Sequence, residues 1–113
     1  MLVKLFSSSV QGINATTIAV EVNITKGAKF FIVGLADNAI KESQQRIESA
    51  MKNNGYSWPG TRVVVNLAPA DIRKEGSAFD LSLAIGMLAA SGQMRSHLLR
   101  EYLLMGELDR KST

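Results

Sequence analysis

Hydrophobic and polar positions alternate most strictly over residues 17–24, where Ile18, Val20, Val22 and Ile24 interleave with Thr17, Ala19, Glu21 and Asn23. A period of two with one apolar side predicts a strand with one buried and one wet face, the pattern of an antiparallel sheet. Shorter apolar runs at residues 2–6 and 30–33 predict a first and a third strand, with Ser7, Ser8, Ser9 and Gly12 read as a loosening of the chain after the first. Thr25-Lys26-Gly27 reads as a turn, and the closeness of the second and third strands predicts a hairpin between them. Over residues 62–67, Val63, Val65 and Leu67 alternate with Arg62, Val64 and Asn66 and predict a fourth strand. Pro69 lacks an amide donor and biases Ala68 to extended geometry, so that strand ends there.

Between the third and fourth strands the period changes to that of a helix. Residues 37–54 carry Ile40, Ser43, Ile47, Ala50 and Met51 on one stripe, with Asp37 placed as the N-terminal cap and Gly55 placed to end the helix in the left-handed conformation. Glu42 with Arg46, and Glu48 with Lys52, stand four residues apart in the favourable order. A second helix, residues 80–91, has almost no polar side: Leu81, Leu83, Ala84, Ile85, Met87 and Leu88 are interrupted only by Ser82 and Ser91. A helix apolar all round is covered all round. Ala84, Gly86 and Ala90 allow close approach to another backbone, and the run is shorter than the ~20 residues of a membrane span. The loop before it holds Asp71, Arg73, Lys74 and Glu75, and either Ser77 or Asp80 is placed to cap the helix. A short helix at 96–101 and a strand at 102–108 are expected next, and the polar tail 109–113 reads as an edge that expects a continuation.

Composition narrows the function classes. At 113 residues there is enough chain for one domain, residues 1–113, with one core. There is no cysteine, so thiolate metal sites, disulfides and thiol catalysis are excluded. Residues 2–6 are too short and too broken by Lys4 to be a signal core; a cytoplasmic location and no membrane partner are the expectation. The net charge of +3, from thirteen basic residues scattered among ten acidic ones, permits a nucleic-acid partner without arguing for one.

Two segments, GLADNAIKESQQRIESA (34–50) and NLAPADIRKEGSAFDLSLAIGMLAASG (66–92), together resemble the N-terminal domain of the bacterial ComM/YifB family of magnesium-chelatase-like AAA+ proteins. INATTIAVEVNIT before them and MGEL at 105–108 fit as well. The resemblance implies an α+β fold shared with the proteolytic domain of Lon and the C-terminal domain of RadA. That fold is two-layered, with a mixed sheet in strand-strand-strand-helix-strand-helix order and a further C-terminal strand. It also implies a AAA+ ATPase module after this domain, using ATP and Mg²⁺. The assembly it implies is a hexameric DNA motor, with branch migration of recombination intermediates in natural transformation as its role.

Each chemistry so implied makes demands on the residues present. A P-loop needs two glycines and a lysine that wrap phosphates, and in Gly106-Glu107-Leu108-Asp109-Arg110-Lys111-Ser112-Thr113 Lys111 stands at the second glycine and Ser112 at the lysine. No cofactor is therefore expected in this chain. Resemblance to Lon puts its serine nucleophile at Ala78; Ser77 lies one residue early and is the weak candidate, with loop or cap serine as its plain alternative. His97 is alone, and Asp71, Glu75 and Asp80 would bind Mg²⁺ only if they converged; interleaved Arg73 and Lys74 favour ion pairs around a fixed loop instead. Lys41, Arg46, Lys52, Arg73 and Lys74 are the candidate contacts to phosphates or a partner, with Glu42 and Glu48 weakening the patch toward an ordinary solvated face. Tyr56 and Trp58 stack on bases or, beside Pro59, pin their loop to the core.

The expected function is a non-catalytic accessory domain that helps a ring of ComM-like subunits assemble, or positions DNA or a partner against its own AAA+ module. A Lon-like serine–lysine peptidase remnant and a protein-remodelling chaperone module of the magnesium-chelatase type are the alternatives.

Overall fold

The computed structural model describes residues 2–11, 14–27, 29–58, 62–74, 76, 78–94, 104, 106 and 108. Strands β1 (Leu2–Gln11), β2 (Asn14–Thr25), β3 (Phe30–Val33) and β4 (Arg62–Ala68) form one mixed sheet in the order β1-β2-β4-β3. Helices α1 (Asn38–Lys41) and α2 (Ser43–Asn53) connect β3 to β4, and α3 (Asp80–Ala90) follows. The chain is an α+β domain. No helix among the described residues is long and apolar enough to cross a membrane.

The expected hairpin of the second and third strands does not form. β2 pairs antiparallel with β1, in a register that sets Val3 opposite Val22 and Leu5 opposite Val20, and on its other side with β4. β3 lies beyond β4 and parallel to it. The link from β2 to β3 steps over the start of β4: a Cβ on Gly27 would stand 2.9 Å from Arg62 Cβ, and the Val63 amide donates to the Lys29 carbonyl at 2.9 Å. A strand, a helical crossover and an adjacent parallel strand make a βαβ unit, so chain proximity of β2 and β3 misleads where element order does not.

β1 also runs on through the serines expected to loosen it. Ser7, Ser8 and Ser9 pair with Ile18, Thr17 and Thr16 and are buried. Register decides this, since each added residue of a hairpin satisfies two backbone groups whatever its side chain.

The core lies between one face of the sheet and the helices. Val3, Leu5, Ile18, Val20, Val22, Val63, Val65 and Leu67 point to it. Ile40, Ser43, Ile47, Ala50 and Met51 are buried, the stripe expected of the first helix. That helix is divided at Glu42, which caps α1 and opens α2. Asp37 caps α1 as expected, its Oδ1 accepting the Ile40 amide at 3.0 Å, and Gly55 is left-handed at φ 82°. α3 crosses β1 and β2 at Gly86, where a Cβ would meet Val22 Cγ2 at 2.6 Å and Leu5 Cδ2 at 2.9 Å. The chain itself supplies part of the cover on the other side: the Leu81 amide donates to Gly106 O at 3.0 Å, and Leu81 packs on Gly106. The expected helix at 96–101 lies outside the described residues, as do Pro59, Glu75, Ser77 and His97. Of the strand expected at 102–108, residues 104, 106 and 108 are described and carry no strand assignment.

Candidate functional site

Three places hold the residues singled out by the sequence. The first is the head of α3. Asp80 does not cap this helix; Phe79 precedes it without a side-chain cap. Its carboxylate is buried and takes a bidentate grip from Arg46 across 34 residues of chain, Nε to Oδ2 at 2.6 Å and Nη2 to Oδ1 at 2.9 Å. Arg46 Nη2 also donates to the Ala39 carbonyl at 2.7 Å, and the Leu108 amide donates to Asp80 Oδ2 at 3.2 Å. Arg46, expected to stand in register with Glu42 on the helix surface, thus reaches inward to a buried carboxylate. A fork of guanidinium N–H groups matches a carboxylate bidentately, and that match is stronger away from water than a surface pair beside a helix break. Glu48 and Lys52 do pair, at 3.2 Å. Ala78, at the position implied for a serine nucleophile, offers only backbone, and its carbonyl accepts the Gly106 amide at 2.8 Å.

The second place is the corner where the carboxyl ends of β3 and β4 open into loops. Lys74, expected among the partner contacts, lies inside the protein with 0% of its surface exposed. Its Nζ donates to the carbonyls of Gly34 (2.8 Å), Leu67 (3.2 Å) and Pro69. Three donors on one ammonium match these three carbonyls, of which that of Pro69 also accepts the Ile72 amide at 3.4 Å. Burial pushes the Lys74 ammonium below its ordinary pKa, and the Asp71 carboxylate acts against that shift. The Lys74 amide donates to Leu35 O at 2.9 Å, and Lys74 O accepts the Asp37 amide at 3.0 Å. Asp37 completes the lock by accepting the Gly76 amide on Oδ2 at 2.9 Å. The fixed loop expected from the interleaved charges is present, built by a lysine and backbone carbonyls. Leu35 is held at φ 54° with its side chain exposed, a conformation few non-glycine residues adopt. A cleft of about 430 Å³ opens beside it, lined by Leu35, Ala36, Asp37, Asn38, Lys41 and Arg73.

The third place is the wet face of α2. Lys41 and Lys52 are exposed here and Arg46 is partly withdrawn toward Asp80. Two shallow depressions cross the face, one lined by Lys41, Glu42, Gln44, Gln45 and Arg46, the other by Gln45, Glu48, Ser49 and Lys52. Cations alternate with carboxylates along it. Arg73 is exposed at the corner, in the cleft that Lys41 also lines.

Asp71 is exposed and Asp80 buried against Arg46, so these two carboxylates do not converge; no group of three potential metal ligands occurs among the described residues. Trp58 packs on Phe30 with ring centroids 5.8 Å apart, which pins its loop to the core, while Tyr56 remains exposed. Neither the Arg46–Asp80 pair nor the carbonyl cage of Lys74 leaves a local signal in the sequence, because both join segments that meet only in the fold.

These features define an α+β domain with a closed polar pair at the head of an apolar helix. The sequence model of the ChlI family, subunit ChlI of Mg-chelatase, matches residues 20–113, and the chain belongs to that family, on its ComM/YifB side. It is 48% identical over 98 residues to YifB of Escherichia coli K12, which covers 86% of this chain and 19% of that protein. It is 41% identical over 105 residues to competence protein ComM of Haemophilus influenzae Rd, 92% of this chain and 21% of ComM. An uncharacterized protein of Mycobacterium tuberculosis H37Rv is 38% identical over 106 residues, 93% of this chain and 21% of its own length. The chain thus spans about a fifth of the length of these relatives.

Proposed function

We propose that this chain is a Lon-like N-terminal domain of a ComM-like AAA+ protein, acting as a non-catalytic scaffold that positions a partner or DNA for the ATPase. The order of elements, three strands, helix, strand, apolar helix, supports the Lon-like reading, as does the mixed sheet. The observation that carries the scaffold reading is the head of α3. Ala78 brings no hydroxyl there, and Asp80, the one buried carboxylate among the described residues, is occupied by Arg46 and the Leu108 amide. A general base or nucleophile needs a free lone pair or an activated proton within reach of substrate, and neither group supplies one.

ATP and Mg²⁺ belong, on this reading, to a module after residue 113, which would form a cytoplasmic hexameric ring and drive branch migration during recombination and competence. Gly106, the first glycine of the nearest P-loop-like string, does not fit phosphate binding. Its amide and carbonyl are both engaged with the head of α3, through Ala78 O and Leu81 N. When bound to such a module, ATP supplies the free energy of a conformational cycle; this chain's residues supply none of that chemistry.

The test is turnover of ATP by the purified chain, alone and with DNA. No hydrolysis above background is expected, and hydrolysis abolished by substitution within this chain overturns the scaffold reading. The DNA part of the proposal is tested by binding titrated against salt. A surface that tracks phosphates weakens steeply as salt rises, whereas binding that is absent at low salt leaves a protein partner. A peptidase reading needs Ser77 to react; labelling by a serine-directed reagent that Ser77→Ala abolishes would support it.

A further inference from the structure

We propose that the edge of β3 away from β4 is a docking strand for an extended segment of a partner protein, one with apolar residues at alternate positions and acidic residues at both ends. β3 is the last strand in the sheet order, with β4 on one side. The pairing of Phe30 with Val63 and Ile32 with Val65, and the bond from the Val63 amide to Lys29 O, fix which way its backbone faces. In such a parallel ladder the groups of Lys29, Phe31 and Val33 turn to β4, and those of Phe30 and Ile32 turn outward, where a further strand would bond them.

Side chains on this edge match that use. Phe31, Val33 and Leu35 are exposed by 39%, 53% and 55%, at every second position, and make up half of the exposed large apolar side chains among the described residues. Edge strands are ordinarily blunted by a charge or a proline within them, and Phe30–Val33 contains neither. The charges stand at its two ends. Exposed Lys29 precedes the strand, and the Arg62 guanidinium lies 5.1 Å from the centre of the Phe31 ring. At the far end exposed Lys41 lines the cleft beside Leu35. The carboxylate in that cleft, Asp37, already accepts the Ile40 and Gly76 amides. Asp71, on the neighbouring loop, acts on Lys74.

This charge pattern selects the occupant. An apolar strip bracketed by cations complements an acid-flanked strand, and it sets a second copy of the same strip against like charges. Val33 and Leu35 offer aliphatic surface, which suits alternating valine or leucine, while the flat ring of the strip, Phe31, has the Arg62 guanidinium 5.1 Å from its centre. The opposite edge of the sheet is treated differently: on β1, Phe6 O accepts the Leu104 amide of the chain itself. The strip is also set before binding, since Lys74 holds Gly34 O and Leu35 O in place from inside.

The inference rests on the scaffold reading by naming its partner's chemistry, and the two fail separately: ATP turnover bears on the first alone. The probe is a fluorescent nonapeptide with two aspartates on each side of Val-Thr-Val-Thr-Val, measured by anisotropy with the full chain. The expected result is saturable binding that weakens at least tenfold in Val33→Lys and in a Lys29→Glu/Lys41→Glu double variant, the latter gaining affinity for the same peptide flanked by lysines. Amide exchange on the unmodified chain gives a readout that needs no variant: the Phe30 and Ile32 amides become protected when the aspartate peptide is added. No binding, equal binding of the lysine-flanked peptide, unaltered exchange at both amides, preference for a poly-dT oligonucleotide, or self-association through this edge would each overturn it.

Discussion

Arg46 and Asp80 sit on different helices and form the one buried ion pair among the described residues, with side chains exposed by 23% and 1%. Taking Arg46 away leaves the Asp80 carboxylate, which cannot reach bulk water, without its cation, and this costs more than the intact pair contributes. Arg46→Met is therefore expected to destabilise the fold by about 3 kcal/mol, and Arg46→Met with Asp80→Leu by clearly less than that. Urea unfolding of the two single variants and the double variant checks it. Additive losses would mean that the pair does not act as a unit.

Lys74→Met removes the donor for three carbonyls and is expected to cost about 2–4 kcal/mol, well above a surface lysine change such as Lys41→Met. The pH dependence has a definite sign. Burial lowers the Lys74 pKa in the folded state from the ordinary 10.5, so just below 10.5 the unfolded chain binds the extra proton and the folded one does not. The contribution of this group to stability therefore rises with pH through that window and is flat below the lowered folded-state value. Denaturant midpoints taken across the alkaline range should show a rise in the wild type that is missing from Lys74→Met.

Gly86→Ala gains helix propensity of about 1 kcal/mol and loses more, because the new methyl meets Val22 Cγ2 at 2.6 Å. A net loss of about 1–2 kcal/mol is expected. Val22→Ala, which opens room at that crossing, should be less harmful in the Gly86→Ala background than alone. Thermal unfolding of the four proteins checks it.

Gly34 and Gly55 both have positive φ, at 119° and 82°, yet they should respond differently to alanine. A Cβ on Gly34 would stand 2.2 Å from the Leu67 carbonyl oxygen, a backbone atom held by Lys74. Nothing lies within 4 Å of the same atom built on Gly55. Gly55→Ala is expected to cost about 1 kcal/mol of backbone strain and Gly34→Ala on the order of 3 kcal/mol or more. Comparable losses in a chemical denaturation series would contradict this.

Periodicity made the buried halves of β2, β4 and α2 legible, because each buries one face and the spacing of its apolar residues records which. Asp37 and Gly55 were legible for a similar reason: a cap and a left-handed terminus are local demands with few residue solutions. The pairing of β3 was not. Its four residues are all apolar and carry no register information, so nearness to β2 suggested a hairpin, while the intervening helix held the truer signal of a parallel partner further on. Ser7–Ser9 looked like a break because serine packs poorly in strands, but the hairpin register carries them. The roles of Arg46 and Lys74 were hidden for another reason. A long cation looks the same in sequence whether it reaches into water or into a cage of carbonyls, and the partners that decide it lie 34 residues away for Arg46 and up to 40 for Lys74.

Because β4 occupies the place between β2 and β3, the sheet cannot be completed in the order in which it is made. As the chain emerges during synthesis, β1 and β2 can zip together at once, but β3 waits with no neighbour until residues 62–68 arrive to fill the gap. For that interval the nascent domain carries an orphan strand of phenylalanine, isoleucine and valine, the kind of segment that chaperones shield and that aggregates when translation stalls.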